Sequence, residues 1–275
     1  MCYARGMGAT AQTDIARARR LVIQHAETAR LLGVGFVPVR AAEAPEQAAE
    51  TRDEPKTTAP VVDAPAARWA TARDGGVRDR AEAQRRLDAL RERYERDAPH
   101  SRFVTDHTNI VFGEGDPCAR LMFIGEAPGA EEDRTGRPFV GKAGQLLNKM
   151  IAAMKLRRED VYICNVLKTR PPGNATPTVE EARICAPYLF EQIDIVDPEV
   201  IVTLGLPASR LILDREDSMG NMRGRWHEFV RLGKPAIPVM PTYHPAFLLR
   251  SYTEENRKKV WSDLRLVMDR LGVPA

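Results

Sequence analysis

This sequence predicts an α/β fold, a three-layer α/β/α sandwich around a central four-stranded, mainly parallel sheet, and two observations carry that reading. From about residue 98 onward, short apolar runs alternate with stretches of helical periodicity, and the runs open into loops rich in glycine or polar residues. Such alternation places helices on both faces of a parallel sheet and sets ligands at the carboxyl ends of its strands.

Taken in order, Leu121-Met122-Phe123-Ile124, Val161-Tyr162-Ile163, Val200 to Leu204 and Ala236 to Met240 read as buried strands. Helices are expected near 143–154, 178–195, 206–213 and 254–271. Upstream, Ala83, Leu87, Leu90 and Tyr94 share one face of a further helix among alternating Arg and Glu. Nearer the N-terminus, Thr13 to Leu32 repeats apolar residues at three- and four-residue steps, with Thr13 as cap and Gly33 as terminator, and runs into the apolar string Leu31 to Val39. Residues 41–80 then contain no Leu, Ile, Phe, Met or Tyr. That stretch buries too little surface to offset its ordering entropy and reads as a disordered linker. The chain thus divides into an N-terminal helix with an apolar segment (1–40), a linker (41–80) and a folded domain (81–275).

Composition sets wider bounds. With 43% hydrophobic and 29% charged residues the chain is neither fibrous nor wholly disordered. No run approaches the ~18 apolar residues of a membrane span, and MCYARGMGAT lacks the apolar core of a secretory signal, so a soluble cytoplasmic protein is expected. A net charge of +3 permits an acidic partner without demanding one. Cys2, Cys118, Cys164 and Cys185 lie far apart with no CxxC pair, which excludes a disulfide framework or a zinc finger and leaves them as small buried hydrophobes.

Three loops concentrate chemistry. Gly125-Glu126-Ala127-Pro128-Gly129 leads into Gly136-Arg137-Pro138-Phe139-Val140-Gly141-Lys142; Asn165 precedes Lys168-Thr169-Arg170-Pro171-Pro172-Gly173-Asn174; and Tyr243-His244-Pro245 opens Ala246-Phe247-Leu248-Leu249-Arg250. Each alone has an ordinary explanation: a glycine loop before a helix is a weak phosphate signal, a lone His before Pro is usually a structural hydrogen bonder, an Asn at a strand end is usually a cap, and a lone Phe is core. Their convergence at the carboxyl ends of one sheet argues for a site.

These three motifs, in this order, resemble the family 4 uracil-DNA glycosylases over about Ala98 to Leu271. The resemblance implies a four-stranded parallel sheet flanked by helices, a catalytic domain over 81–275, and a monofunctional hydrolase that cleaves the N-glycosidic bond of uracil in single- or double-stranded DNA. It also implies a monomer with no membrane partner. Phe139 falls where the family stacks an aromatic ring on the flipped uracil, Asn165 where an amide pairs with its Watson–Crick edge, and His244 where a histidine faces uracil O2. Chemistry agrees with these roles. A base inside a duplex must be turned out to be reached; an Asn amide donates to O4 and accepts from N3–H, a pattern cytosine inverts; and a donor aimed at O2 matters most as negative charge develops there.

For the attacking water, other branches carry an Asp where this chain has Ala127. Glu126 and Glu132 are the remaining carboxylates near the pocket, Glu126 being preferred as base; Glu131, Glu132 and Asp133 also read simply as an acidic helix start. Leu248 is expected as the wedge that fills the gap left by the extruded nucleotide. Lys142, Lys168, Arg170 and Arg250 are candidate phosphate contacts, each equally readable as a solvated surface charge.

One departure from the family stands out. Its members usually hold a [4Fe–4S] cluster on four cysteines, and the corresponding positions here are Ala98, Ser101, Thr169 and Cys185. Four thiolates are the usual requirement, so no cofactor is expected. Two other functions compete: the covalent uracil-trapping branch, whose basic insertion with a reactive histidine is absent between Lys168 and Thr178, and a silent DNA-binding scaffold of the same fold, against which Phe139, Asn165 and His244 argue. The apolar string 31–39 is a candidate docking segment for a protein partner, or else folds back on the catalytic domain.

Overall fold

The four apolar runs become the four parallel strands of a six-stranded sheet. The computed structural model describes residues 79–274, so the helix expected over 13–32, the apolar string and the linker up to residue 78 lie outside the described residues. In chain order the elements are α1 (Arg80–Asp97), β1 (Glu114–Gly115), β2 (Leu121–Gly125), α2 (Ala130–Thr135), α3 (Lys142–Ala153), β3 (Tyr162–Asn165), α4 (Val179–Val196), β4 (Val200–Leu204), α5 (Leu206–Leu213), α6 (Met219–Met222), β5 (His227–Arg231), β6 (Lys234–Thr242), α7 (Pro245–Arg250) and α8 (Glu254–Leu271).

Sheet order is β1-β3-β2-β4-β6-β5. The inner four strands are mutually parallel, and the strands that sequence reasoning omitted are the two antiparallel edges. β1 is two residues long and has no period to read. β5 joins β6 in a hairpin through Leu232-Gly233, where Gly233 takes a positive φ of 70°.

Strand alternation builds two cores. Met122, Ile124, Tyr162, Cys164, Ile201 and Val239 face α1, α4 and α5, whereas Leu121, Phe123, Ile163, Val200, Val202 and Met240 face α3, α7 and α8. This is the three-layer sandwich. α1 buries Ala83, Leu87, Leu90 and Tyr94, the face expected from the sequence, and starts at Asp79, whose carboxylate accepts from Ala81 N and Glu82 N. α4 begins with a capping box in which Thr178 and Glu181 satisfy each other's amides. With β2, β3 and β4 buried along their whole length and β6 buried in its second half, the polar groups of the loops gather at the strand ends, and there the inner four deliver them together.

Candidate active site

At the carboxyl ends of β2, β3 and β6 lies a cleft of about 330 Å³ lined by Glu126, Ala127, Glu132, Phe139, Ala143, Asn165, Thr176, His244 and Arg250 among others. Six of these residues were named from sequence as substrate-binding; Ala143 and Thr176 were not, because neither carries a chemical signature alone.

Asn165 is the last residue of β3 and is 1% exposed, yet its Oδ1 has no hydrogen-bond partner. An unpaired buried acceptor costs about 1–3 kcal/mol, so this atom is poised for a donor that arrives with a ligand. Beneath it lies Gly125, where a Cβ would stand 2.3 Å from Asn165 Oδ1 and 2.4 Å from the Phe139 ring. Glycine there opens the floor of the cleft.

His244 follows β6 and caps α7: its Nδ1 accepts from Ala246 N at 3.1 Å. With Nδ1 an acceptor, the ring proton belongs on Nε2. Burial, aided by the positive charge of Arg250, pushes the His244 pKa down to about 4, so the ring is neutral at physiological pH. Its ring centroid is 5.6 Å from that of Phe139. Gly205, at φ +92°, lets β4 pass close by; a Cβ there would stand 3.1 Å from that of His244. The preceding turn is fastened by Thr242, whose hydroxyl donates to buried Asp263 at 2.6 Å, with Arg223 paired to the same carboxylate at 2.7 Å.

The carboxylates divide by environment. Glu126 is half-buried; desolvation raises its pKa, opposed by a hydrogen bond with Thr176 and by Arg250. Glu132 lines the cleft, but its Oε1 accepts from Val140 N and Gly141 N, both at 2.8 Å, so it braces the loop that carries Phe139. Asp133 is 5% exposed and accepts from Thr108 N and Asn109 N. Two members of the acidic helix start, Glu132 and Asp133, are therefore main-chain anchors, a role that residue type alone does not reveal, while Glu131 pairs with Arg134 at the surface.

Two expectations are corrected. Lys168 is fully buried, with Nζ donating to Asn165 O at 2.7 Å and to Gln192 Oε1, and standing 5.4 Å from the centre of the Phe112 ring; it cannot reach a phosphate. Leu248 is 3% exposed, packed into the core of α3 and α8, whereas its neighbour Leu249 is 44% exposed. The turn of α7 sends the first inward and the second to the surface. Lys142 and Arg250 are exposed; Arg170 is half-buried, donating to Asn174 Oδ1 at 2.8 Å.

The four positions matching the family's cluster ligands do not fit such a group. Ala98 is a left-handed helix cap without a donor, Ser101 is exposed, and Thr169 Oγ1 is buried without a hydrogen-bond partner. Cys185 lies under Tyr94, Sγ 4.0 Å from its hydroxyl, and burial lifts the thiol pKa to about 11. One thiol beside two hydroxyls and a methyl group is the wrong donor set. The space around them holds rings: Tyr94 stacks on His100 at 5.5 Å and meets Tyr188 edge-on at 5.0 Å.

Comparison with known proteins agrees with this geometry. A family model described as the uracil DNA glycosylase superfamily matches residues 112–265. The chain is 48% identical over 160 residues to the type-4 uracil-DNA glycosylase of Thermotoga maritima, spanning 58% of this chain and 81% of that protein. Over 169 residues it is 44% identical to the type-4 enzyme of Archaeoglobus fulgidus, spanning 60% and 83%. A type-5 uracil-DNA glycosylase of Pyrobaculum aerophilum is more distant, 33% identical over 147 residues. An amide, an aromatic ring and a neutral imidazole at the strand ends of this sheet thus coincide with sequence kinship that includes residues 112–265, and the chain belongs to the type-4 branch of the uracil-DNA glycosylase superfamily.

Proposed function

We infer that this protein excises uracil from DNA by hydrolysing the N-glycosidic bond, with Asn165 selecting the base, Phe139 stacking on it and His244 stabilising the leaving group. The observation that carries the reading is Asn165 Oδ1, a buried acceptor without a partner, at the floor of the cleft beside Phe139 and His244.

Turned out of the helix, uracil presents N3–H to Asn165 Oδ1 and O4 to its Nδ2, while cytosine presents a lone pair and an amine in the opposite order. As the C1′–N1 bond breaks, its electron pair leaves with uracil and charge gathers on O2. His244 meets that charge with Nε2–H, already oriented by Ala246, so no reorganisation is needed. Water adds to the cationic sugar carbon and its proton passes to Glu126, whose raised pKa makes it a better base than an exposed carboxylate. Ala127 leaves no second carboxylate there. Arg250 at the cleft, and Lys142 and Arg170, next in sequence to its lining residues Ala143 and Pro171, serve as phosphate contacts, and Leu249, not Leu248, has the exposure of a wedge. The enzyme works without a cluster, the edge-on packing of Tyr94 against Tyr188 taking over the joining of α1 to α4.

Release of free uracil from single-stranded and U:G oligonucleotides tests the activity. Asn165→Asp should slow it strongly, because a carboxylate facing O4 sets like charge against like; unchanged excision by that variant would refute the assignment.

A further inference from the structure

Phe139 holds an improbable backbone. Its φ is +51°, a left-handed conformation that bulky residues rarely adopt and that costs about 1–3 kcal/mol unless the surroundings enforce it. Two features enforce it here. Gly144, in the first turn of α3, lies so close that a Cβ would stand 1.9 Å from Phe139 O. From the other side, Arg158 Nη1 donates to Phe139 O at 3.2 Å and Nη2 to Pro138 O at 2.5 Å. The guanidinium is itself fixed: Nε donates to Glu114 Oε1 at 2.7 Å and Nη1 to Asn148 Oδ1 at 2.7 Å. All three nitrogens are engaged, and the side chain is 19% exposed.

We propose that Arg158 is a positioning residue for uracil excision, a clamp that locks the strained Pro138-Phe139 turn so that the Phe139 ring is set over the cleft before the base arrives. The arrangement is suited to arginine. A planar fork spans two successive carbonyls, a carboxylate and an amide at once; the single ammonium of lysine cannot. Arg158 lies in the short turn before β3, distant in sequence from the motif it serves, and its partners on that motif are main-chain oxygens. Without it the turn relaxes toward negative φ and the ring swings from its stacking position. The proposal rests on Phe139 as the stacking platform.

The test compares Arg158→Met, Phe139→Ala and the double variant by single-turnover excision, by inhibition with free uracil and by affinity for abasic-site DNA. Base–aromatic stacking supports an expected loss of roughly tenfold or more in the Phe139→Ala excision rate. Arg158→Met should lose a comparable factor in rate and in uracil inhibition, keep its affinity for abasic DNA, and add nothing to Phe139→Ala. Wild-type uracil inhibition in Arg158→Met, or losses that multiply in the double variant, overturn the clamp. Wild-type excision by Phe139→Ala overturns the stacking reading and the clamp with it, whereas a slowed Phe139→Ala beside an unaffected Arg158→Met overturns the clamp alone. If Arg158→Met does not fold, Arg158→Lys, which keeps the charge but cannot span both carbonyls, is judged by the same outcomes.

Discussion

Lys168 Nζ donates to the main-chain oxygen of Asn165 at 2.7 Å, so the only ammonium buried in this sheet's core layer among the described residues is spent on holding the residue proposed to select the base. Gln192 completes the anchor: its Oε1 accepts from the same ammonium and its Nε2 donates to Phe112 O and Tyr162 Oη. Burial pushes the Lys168 pKa down, opposed by the nearby thiols Cys164 and Cys185.

Lys168→Met should therefore lower stability by about 1–3 kcal/mol, the scale of leaving a buried acceptor unpaired, and slow excision. The salt dependence of DNA binding decides between anchor and phosphate contact. Losing a phosphate contact would shallow the slope of log K against log salt by about one, whereas the wild-type slope should persist here.

His244→Ala should slow the chemical step by ~10²–10³ with folding intact, the usual scale for one preorganised donor. The low pKa also fixes a pH dependence. Folded His244 titrates near 4 against about 6.5 unfolded, so between those values the unfolded chain binds more protons and stability falls as the solution is acidified. Excision should be insensitive to this group from neutral pH down to about 5 and decline below that. A pH–rate profile of the folded enzyme with an inflection at 6–7, absent from His244→Gln, would contradict a neutral donor.

Leu249→Ala should impair excision from U:A duplexes more than from single strands, since only a duplex needs its gap filled. Leu248→Ala should instead destabilise the fold by about 2–5 kcal/mol, the cost of a core cavity, and hurt both substrates in step with that loss. Thermal melting beside paired duplex and single-strand rates separates the two.

Purified protein should be colourless, with iron well below one atom per chain. Cys185→Ser should cost ~1 kcal/mol or less. Brown protein with about four irons, or collapse of Cys185→Ser, would mean that other side chains have been recruited as ligands.

Helices and inner strands were legible because periodicity depends only on which face is buried. α5, α8 and β4 have the bounds expected of them, and the face of α1 is the one the spacing of Ala83, Leu87, Leu90 and Tyr94 specified. What was not legible depends on direction or on main-chain partners. Leu248 was misplaced because neighbouring residues in the turn of α7 point to different surroundings, and Lys168 because a charged residue type suggests solvent although residues 161–169 are all buried. β5 hides behind Arg231, 3% exposed and paired with Asp197 at 2.6 Å, where residue type suggests solvent. Arg158, Glu132 and Asp133 bond to carbonyls and amides, which leave no trace in side-chain patterns.

The order β3-β2-β4-β6 also has a kinetic meaning. Phe139 and Asn165 belong to the first half of the parallel sheet, and His244 follows its last strand, about 100 residues beyond Phe139. A chain emerging from the ribosome can pair β2 with β3 before His244 has been made, because β6, which leads into it, is the last strand of the sheet to be synthesised. A chain that has paired only β2 with β3 therefore holds Phe139 and Asn165 without His244, two thirds of a site and not yet a catalyst.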